Sequence, residues 1–185
     1  METSIIIAGF GGQGVLFAGQ LLAYGAMDDG RFVTWIPSYG PEMRGGTANC
    51  TVIIGDEPIG APIVTQPDVA LALNQPSFEK YEPLVKPGGL LVVNESLVTA
   101  VSNRDDVDII GVPANELAEE GGSVKMMNVV MLGALLAKRP VLSLDVLEQA
   151  LANHLPSNKQ HLMEQNKIVL RQGAAYVNKQ TAVAV

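Results

Sequence analysis

The first forty residues constrain the fold more than any other part of the chain. An apolar run, Ser4-Ile5-Ile6-Ile7-Ala8, leads directly into Gly9-Phe10-Gly11-Gly12-Gln13-Gly14. Val15, Ala18, Gly19, Leu22, Ala23 and Ala26 then recur at helical spacing, Asp28-Asp29-Gly30 closes that helix, and residues 32–36 form a second apolar run. Unbroken apolar runs belong to strands buried on both faces. Strand, glycine loop, helix and strand make a βαβ unit, which predicts a parallel sheet covered by helices.

The remaining elements fit that plan. Strands are expected at residues 47–54, 68–73, 90–93 and 107–112, with a turn at Gly55-Asp56-Glu57-Pro58. A short helix over 77–85 stops at Lys86-Pro87-Gly88-Gly89, because proline cannot continue a helix and glycine accepts the left-handed cap. A second short helix is expected over 115–120. Residues 125–138 are apolar on every side, so their helix must be covered all round, by the sheet and by either the C-terminal helices or a partner. Residues 144–155 form an amphipathic helix. Ser157 and Gln160 have capping-box spacing for a last helix, with Ser157 as the cap and Gln160 reaching back. Gly173 is expected to end that helix, and the chain after Asn178 to fray. There is no repeat or linker, so residues 1–185 are expected to form a single domain.

Composition removes several classes of function. The formal charge is −7 and no Lys/Arg cluster occurs, which argues against nucleic acid as a partner. Hydrophobic residues make up 48% of the chain, too many for disorder. Cys50 is the only cysteine, so neither an internal disulfide nor a cluster held by four thiolates can form. Mid-strand, it is expected to be inert core. Met1-Glu2-Thr3-Ser4 lacks the basic start of a signal peptide. The apolar stretch 126–137 is shorter than the roughly 20 residues of a membrane span. A cytoplasmic protein without membrane contact is the expectation. His154 and His161 are too few for a metal site and are expected on the surface.

In open α/β sheets, ligands bind beyond the carboxyl ends of the strands. There this chain places Gly9, Gly11, Gly12, Gln13 and Gly14, then Ser38, Tyr39, Glu42, Arg44, Gly45 and Gly46, then Asn74 and Gln75, and finally Asn94. The glycine loop has G-x-G-x-x-G spacing, but the second strand does not end in the acid that a dinucleotide ribose needs. Four readings of the loop stay open: a tight turn under a close-packed helix, a phosphate-bearing ligand, a partner's backbone, or a nicotinamide or flavin dinucleotide held without that acid. Arg44 can grip a carboxylate or phosphate with two parallel hydrogen bonds, or it can pair internally with Glu42.

Five segments together resemble the gamma subunit of the 2-oxoacid:ferredoxin oxidoreductases: IIIAGFGGQGV at residues 5–15, SYGPEMRGGTANCTV at 38–52, ALNQPSFEKY at 72–81, KPGGLLVVNES at 86–96 and NVVMLGALL at 128–136. The resemblance implies a three-layer α/β/α fold with a mostly parallel, mixed sheet, like domain III of pyruvate:ferredoxin oxidoreductase. It also implies a division of labour. Thiamine diphosphate with Mg lies between alpha- and beta-type chains, and 4Fe-4S clusters sit in beta- and delta-type chains. The 2-oxoacid is decarboxylated, CoA takes the acyl group, and ferredoxin takes the electrons. The gamma chain adjoins the alpha-type chain on the CoA side, with residues 39–46 toward that partner. It supplies no catalytic residue of its own and is inactive alone; a homodimer is one form open to the isolated chain. The SYGPE form at residues 38–42 is more similar to the 2-oxoglutarate, ketoisovalerate and pyruvate types than to the indolepyruvate type. The competing readings are a free-standing nucleotide-binding oxidoreductase and a purely structural subunit.

Overall fold

The computed structural model describes residues 2–39 and 47–183. Strands β1 (Glu2–Phe10), β2 (Phe32–Tyr39), β3 (Thr47–Gly55), β4 (Val69–Ala72), β5 (Leu90–Asn94) and β6 (Asp108–Val112) form one sheet in the order β2-β3-β1-β4-β5-β6. Strands β1, β4, β5 and β6 are parallel, whereas β3 pairs antiparallel with both β1 and β2. The two strands of the N-terminal βαβ unit therefore point the same way but are not neighbours. β3 inserts between them, facing Ile5 with Val52 and Ile7 with Cys50 on one side and Trp35 with Val52 on the other. This is the mostly parallel, mixed sheet expected, with its one reversed strand now located.

Among the described residues, six α-helices accompany the sheet: α1 (Val15–Asp28), α2 (Gln75–Tyr81), α3 (Ala114–Glu120), α4 (Met127–Lys138), α5 (Leu144–His154) and α6 (Met163–Val183). The two sheet faces are covered unequally. One core cluster joins Ile5, Ile7, Val52, Leu71 and Val92 of the strands to α1 and α3 to α6. The opposite cluster, around Ile6, Ala70, Leu91 and Val93, has α2 and neighbouring loop residues over it. Among the described residues, no helix is long and apolar enough to cross a membrane.

Helix α4 is buried from Met127 to Leu136, and its own chain provides the cover. It crosses α6 backbone to backbone. A Cβ on Gly133 would stand 1.9 Å from Leu170 O, and one on Gly173 would stand 2.0 Å from Val130 O. Gly173 is thus a contact point inside α6, not its end, and the helix continues past Asn178 to Val183. The expected capping box does not form either. Residues Ser157–Leu162 wind as a 3₁₀ turn without a side-chain cap, and Gln160 Nε2 reaches back past Ser157 to donate to Leu155 O at 2.6 Å. The periodicity signals located these helices, but glycine at a helix crossing and glycine at a helix stop look alike in sequence.

Charges gather where the parallel strands begin. Asp68 Oδ2 accepts from Ser4 N at 2.8 Å and Ser4 Oγ at 2.6 Å, and Lys86 Nζ donates to Asp68 Oδ1 at 2.7 Å. Burial pushes the Asp68 carboxyl up, but the bonds from Lys86 and Ser4 outweigh it and hold the group below its ordinary range. Nearby, Arg139 donates to Asp68 O and Gly88 O, and Arg104 pairs with Asp106 while also donating to Glu82 O and Val85 O. These contacts clamp the starts of β1, β4, β5 and β6.

Candidate functional site at the carboxyl edge

At the other edge the strand ends meet through amides. Gly9 closes β1 tightly: a Cβ there would lie 2.7 Å from Gln13 Oε1. Gln13 folds back over the loop, its Oε1 accepting from Phe10 N at 2.6 Å and Asn74 Nδ2 at 3.0 Å. Asn74 also caps α2, its Oδ1 accepting from Ser77 N at 3.0 Å. Leu73 O receives Gln13 Nε2 at 3.4 Å and Asn94 Nδ2 at 3.3 Å. Asn94 is fully buried and also donates to Asn115 Oδ1 at 3.1 Å. Its Oδ1 has no hydrogen-bond partner among the described residues. An unanswered amide oxygen in the interior is costly, and its burial closes it to any group larger than a water.

The glycine loop is held from below by α4. Asn128, 3% exposed, donates from Nδ2 to Gly14 O at 2.9 Å. Gly14 has φ +76, and a Cβ there would lie 2.4 Å from that Nδ2, so both the backbone angle and the space demand glycine. Helix α1 then begins without a side-chain cap and without an acid in its first turn. Its leading N–H groups are left to the positive end of the helix dipole. Beside them opens a cleft of about 580 Å³ lined by Gly12, Gly14, Lys125, Asn128, Lys159 and Gln165 among others. Two ammonium groups and a helix start suit an anionic group.

Several residues expected here are placed differently. Gln75 turns away: its Oε1 accepts from Thr99 N at 3.0 Å and Ala100 N at 3.2 Å, which ties down the loop after β5. Ser38 is exposed near the end of β2 and is paired in register with Asn49, and Tyr39 ends that strand. Glu42, Arg44, Gly45 and Gly46 lie outside the described residues. His154 is only partly exposed. It stacks on Tyr24 at 4.1 Å and meets Asp28 at 3.0 Å, binding α5 to α1 and holding the Asp28 carboxyl below its ordinary range.

Two contributors were missed in sequence, Asn115 and Asn128. Asn115 follows β6, and applying the strand-end rule to that strand as well would have found it. Asn128 had a sharper signal, as the polar residue inside an otherwise apolar helix. Cys50 is fully buried and its thiol is pushed up to about 12 by burial, so it does not suit a thiolate-held iron–sulfur cluster. Nor do the strand ends suit a magnesium diphosphate. Their acids are engaged, Glu95 by Tyr176 and Glu116 by Ser96, and the rest are neutral amides.

With this geometry established, comparison with known proteins defines the class. Residues 4–176 match the family of pyruvate ferredoxin/flavodoxin oxidoreductases, and the chain belongs to that family. It is 39% identical over 181 residues to the ketoisovalerate oxidoreductase subunit VorA of Methanothermobacter marburgensis, covering 96% of this chain but 37% of that protein. It is 35% identical to the 2-oxoglutarate synthase subunit KorC of Methanocaldococcus jannaschii, covering 94% of this chain and 92% of that one. Among solved structures, the keto/oxoacid ferredoxin oxidoreductase gamma subunit from Geobacter sulfurreducens PCA superimposes with a TM-score of 0.83 at 31% identity, over 96% of this chain and 99% of the other.

Proposed function

We propose that this chain is the gamma subunit of a cytoplasmic 2-oxoacid:ferredoxin oxidoreductase and acts as a single domain with alpha-, beta- and delta-type partners. The enzyme forms acyl-CoA from 2-oxoglutarate, a branched-chain 2-oxoacid or pyruvate and passes the electrons to ferredoxin. The observation that carries this reading is the nearly end-to-end match to a free-standing gamma subunit, 96% of one chain on 99% of the other. The names of the ketoisovalerate and 2-oxoglutarate relatives favour those two substrates.

In this role the chain binds and orients. The start of α1 with Lys125 and Lys159 suits a phosphate of CoA. Arg44 would meet a carboxylate or a CoA phosphate, or fix the interface. Thiamine diphosphate and iron–sulfur clusters belong to the partners, and supply there the carbanion and single-electron chemistry for which this chain has no fitting donors.

The test is reconstitution with and without this chain. The complete complex should form acyl-CoA and reduce ferredoxin, and leaving the chain out should abolish or cripple that activity. A panel of 2-oxoacids identifies the substrate by kcat/KM. Arg44→Ala should lower turnover or weaken assembly while the isolated subunit melts as before. Turnover of a 2-oxoacid by the isolated chain, or full activity without it, would overturn the reading.

A further inference from the structure

One half of the thinly covered sheet face is built unlike the rest of the surface. On β2, Phe32, Thr34, Ile36 and Ser38 alternate onto the side away from α1, and Thr47, Asn49 and Thr51 of β3 continue that surface, with Ile53 and the Thr34 hydroxyl buried between them. Helix α2 packs over β1 and β4 on this side, while α1 packs against β2 and β3 from the other. Exposed there are Phe10 (37%), Phe32 (46%) and Ile36 (41%). Lys, Arg, Asp and Glu make up 17% of the chain, yet β2, β3 and residues 58–67 contain none of them. Exposed aromatic and aliphatic groups on a surface cleared of charge are the composition of an interface centre.

We propose that this uncharged face of β2 and β3 is a docking surface, and that its occupant is the portion of the enzyme that the ketoisovalerate relatives carry on the same polypeptide as their copy of this domain. The inference rests on the gamma-subunit reading. Two observations select the occupant. First, this chain corresponds to 37% of that relative, so most of that polypeptide is tethered to a domain of this kind. Second, β2 and β3 directly flank residues 40–46 in the sequence, the segment that the gamma-subunit reading turns toward the partner. A second copy added strand to strand fits less well. β2 is the outermost strand and contains Pro37, which brings no N–H to a new ladder.

The experiment charges the face in the full-length subunit. Ile36→Lys and, at the exposed and permissive position 38, Ser38→Arg are each co-expressed with the partner subunits, and the isolated variants are checked by thermal melt. The expected result is native-like melting with association at least ten-fold weaker for both. Two variants that assemble with wild-type affinity overturn the docking surface and leave the function standing. So does loss of self-association alone, with hetero-assembly intact, since it assigns the face to a second copy. A wild-type complex that assembles but makes no acyl-CoA instead refutes the function.

Discussion

The two edges of one sheet are built from opposite materials. Where the parallel strands begin, Asp68, Lys86, Arg104, Asp106 and Arg139 spend their charges on one another and on backbone carbonyls. Where those strands end, Gln13, Asn74, Asn94, Asn115 and Asn128 join the segments with neutral amides. The first edge ties these charges to partners within the chain, although Arg31 Nε there has no hydrogen-bond partner among the described residues and a cleft of about 680 Å³ lined by Arg31, Asp56, Asp68 and Arg139 opens beside it. The second leaves a buried carbonyl oxygen unanswered, a helix start uncapped and a cleft beside it. The contrast separates residues that hold the fold from residues held by it.

That contrast makes a ranked set of expectations. Asp68→Ala removes the acceptor of Ser4 N, Ser4 Oγ and Lys86 Nζ, and should cost about 2 kcal/mol in urea unfolding. Its loss should leave the activity of the assembled enzyme unchanged once folded. Gly14→Ala comes next, at about 1–2 kcal/mol, because it strains a left-handed residue and displaces Asn128. In a double-mutant cycle with Asn128→Ala its cost should be non-additive, as expected of groups in contact. Lys125→Ala and Lys159→Ala should move stability by less than about 0.5 kcal/mol, yet raise KM for CoA in the complete enzyme. If these lysines cost as much stability as Asp68, the distinction between the edges fails.

Acid sharpens the same comparison. Asp68 has a folded carboxyl held below its ordinary value, so its contribution is complete above the unfolded pKa of about 3.9 and is lost as pH falls through the folded one. Asp68→Asn should therefore lose less stability than the wild type between neutral pH and about pH 3, followed by circular dichroism. Equal acid sensitivity would show that other carboxylates clamp that edge. Cys50 should give the smallest effect. With its thiol pushed up to about 12, it should resist an alkylating reagent at pH 8 in the native protein and react only on unfolding.

Local signals carried much of this architecture in the sequence. The glycine loop and the helical spacing after Val15 place α1 almost to the residue, and the run from Ser4 to Ala8 places β1 within two residues at each end. What stayed hidden depends on pairing between distant segments. Nothing near Thr47 says that β3 runs antiparallel between β1 and β2, because an apolar strand reads the same in either direction. Gly173 looked like a stop because its reason for being glycine lies on α4, at Val130. At the carboxyl edge, Gln13, Asn74 and Asn94 follow strands and were legible. Asn128 stood out only as a polar residue in an apolar helix, and its target was hidden, since Gly14 O is more than a hundred residues away.

Hydrogen exchange on the assembled enzyme, compared with the free subunit, tests most directly where this domain meets its surroundings. Protection should rise in residues 9–17 and along β2 and β3, and stay level around Asp68, Lys86 and Arg104, whose charges are already paired within the chain. Protection that instead rises at those charged strand starts, with the glycine loop and β2 unchanged, would contradict the account.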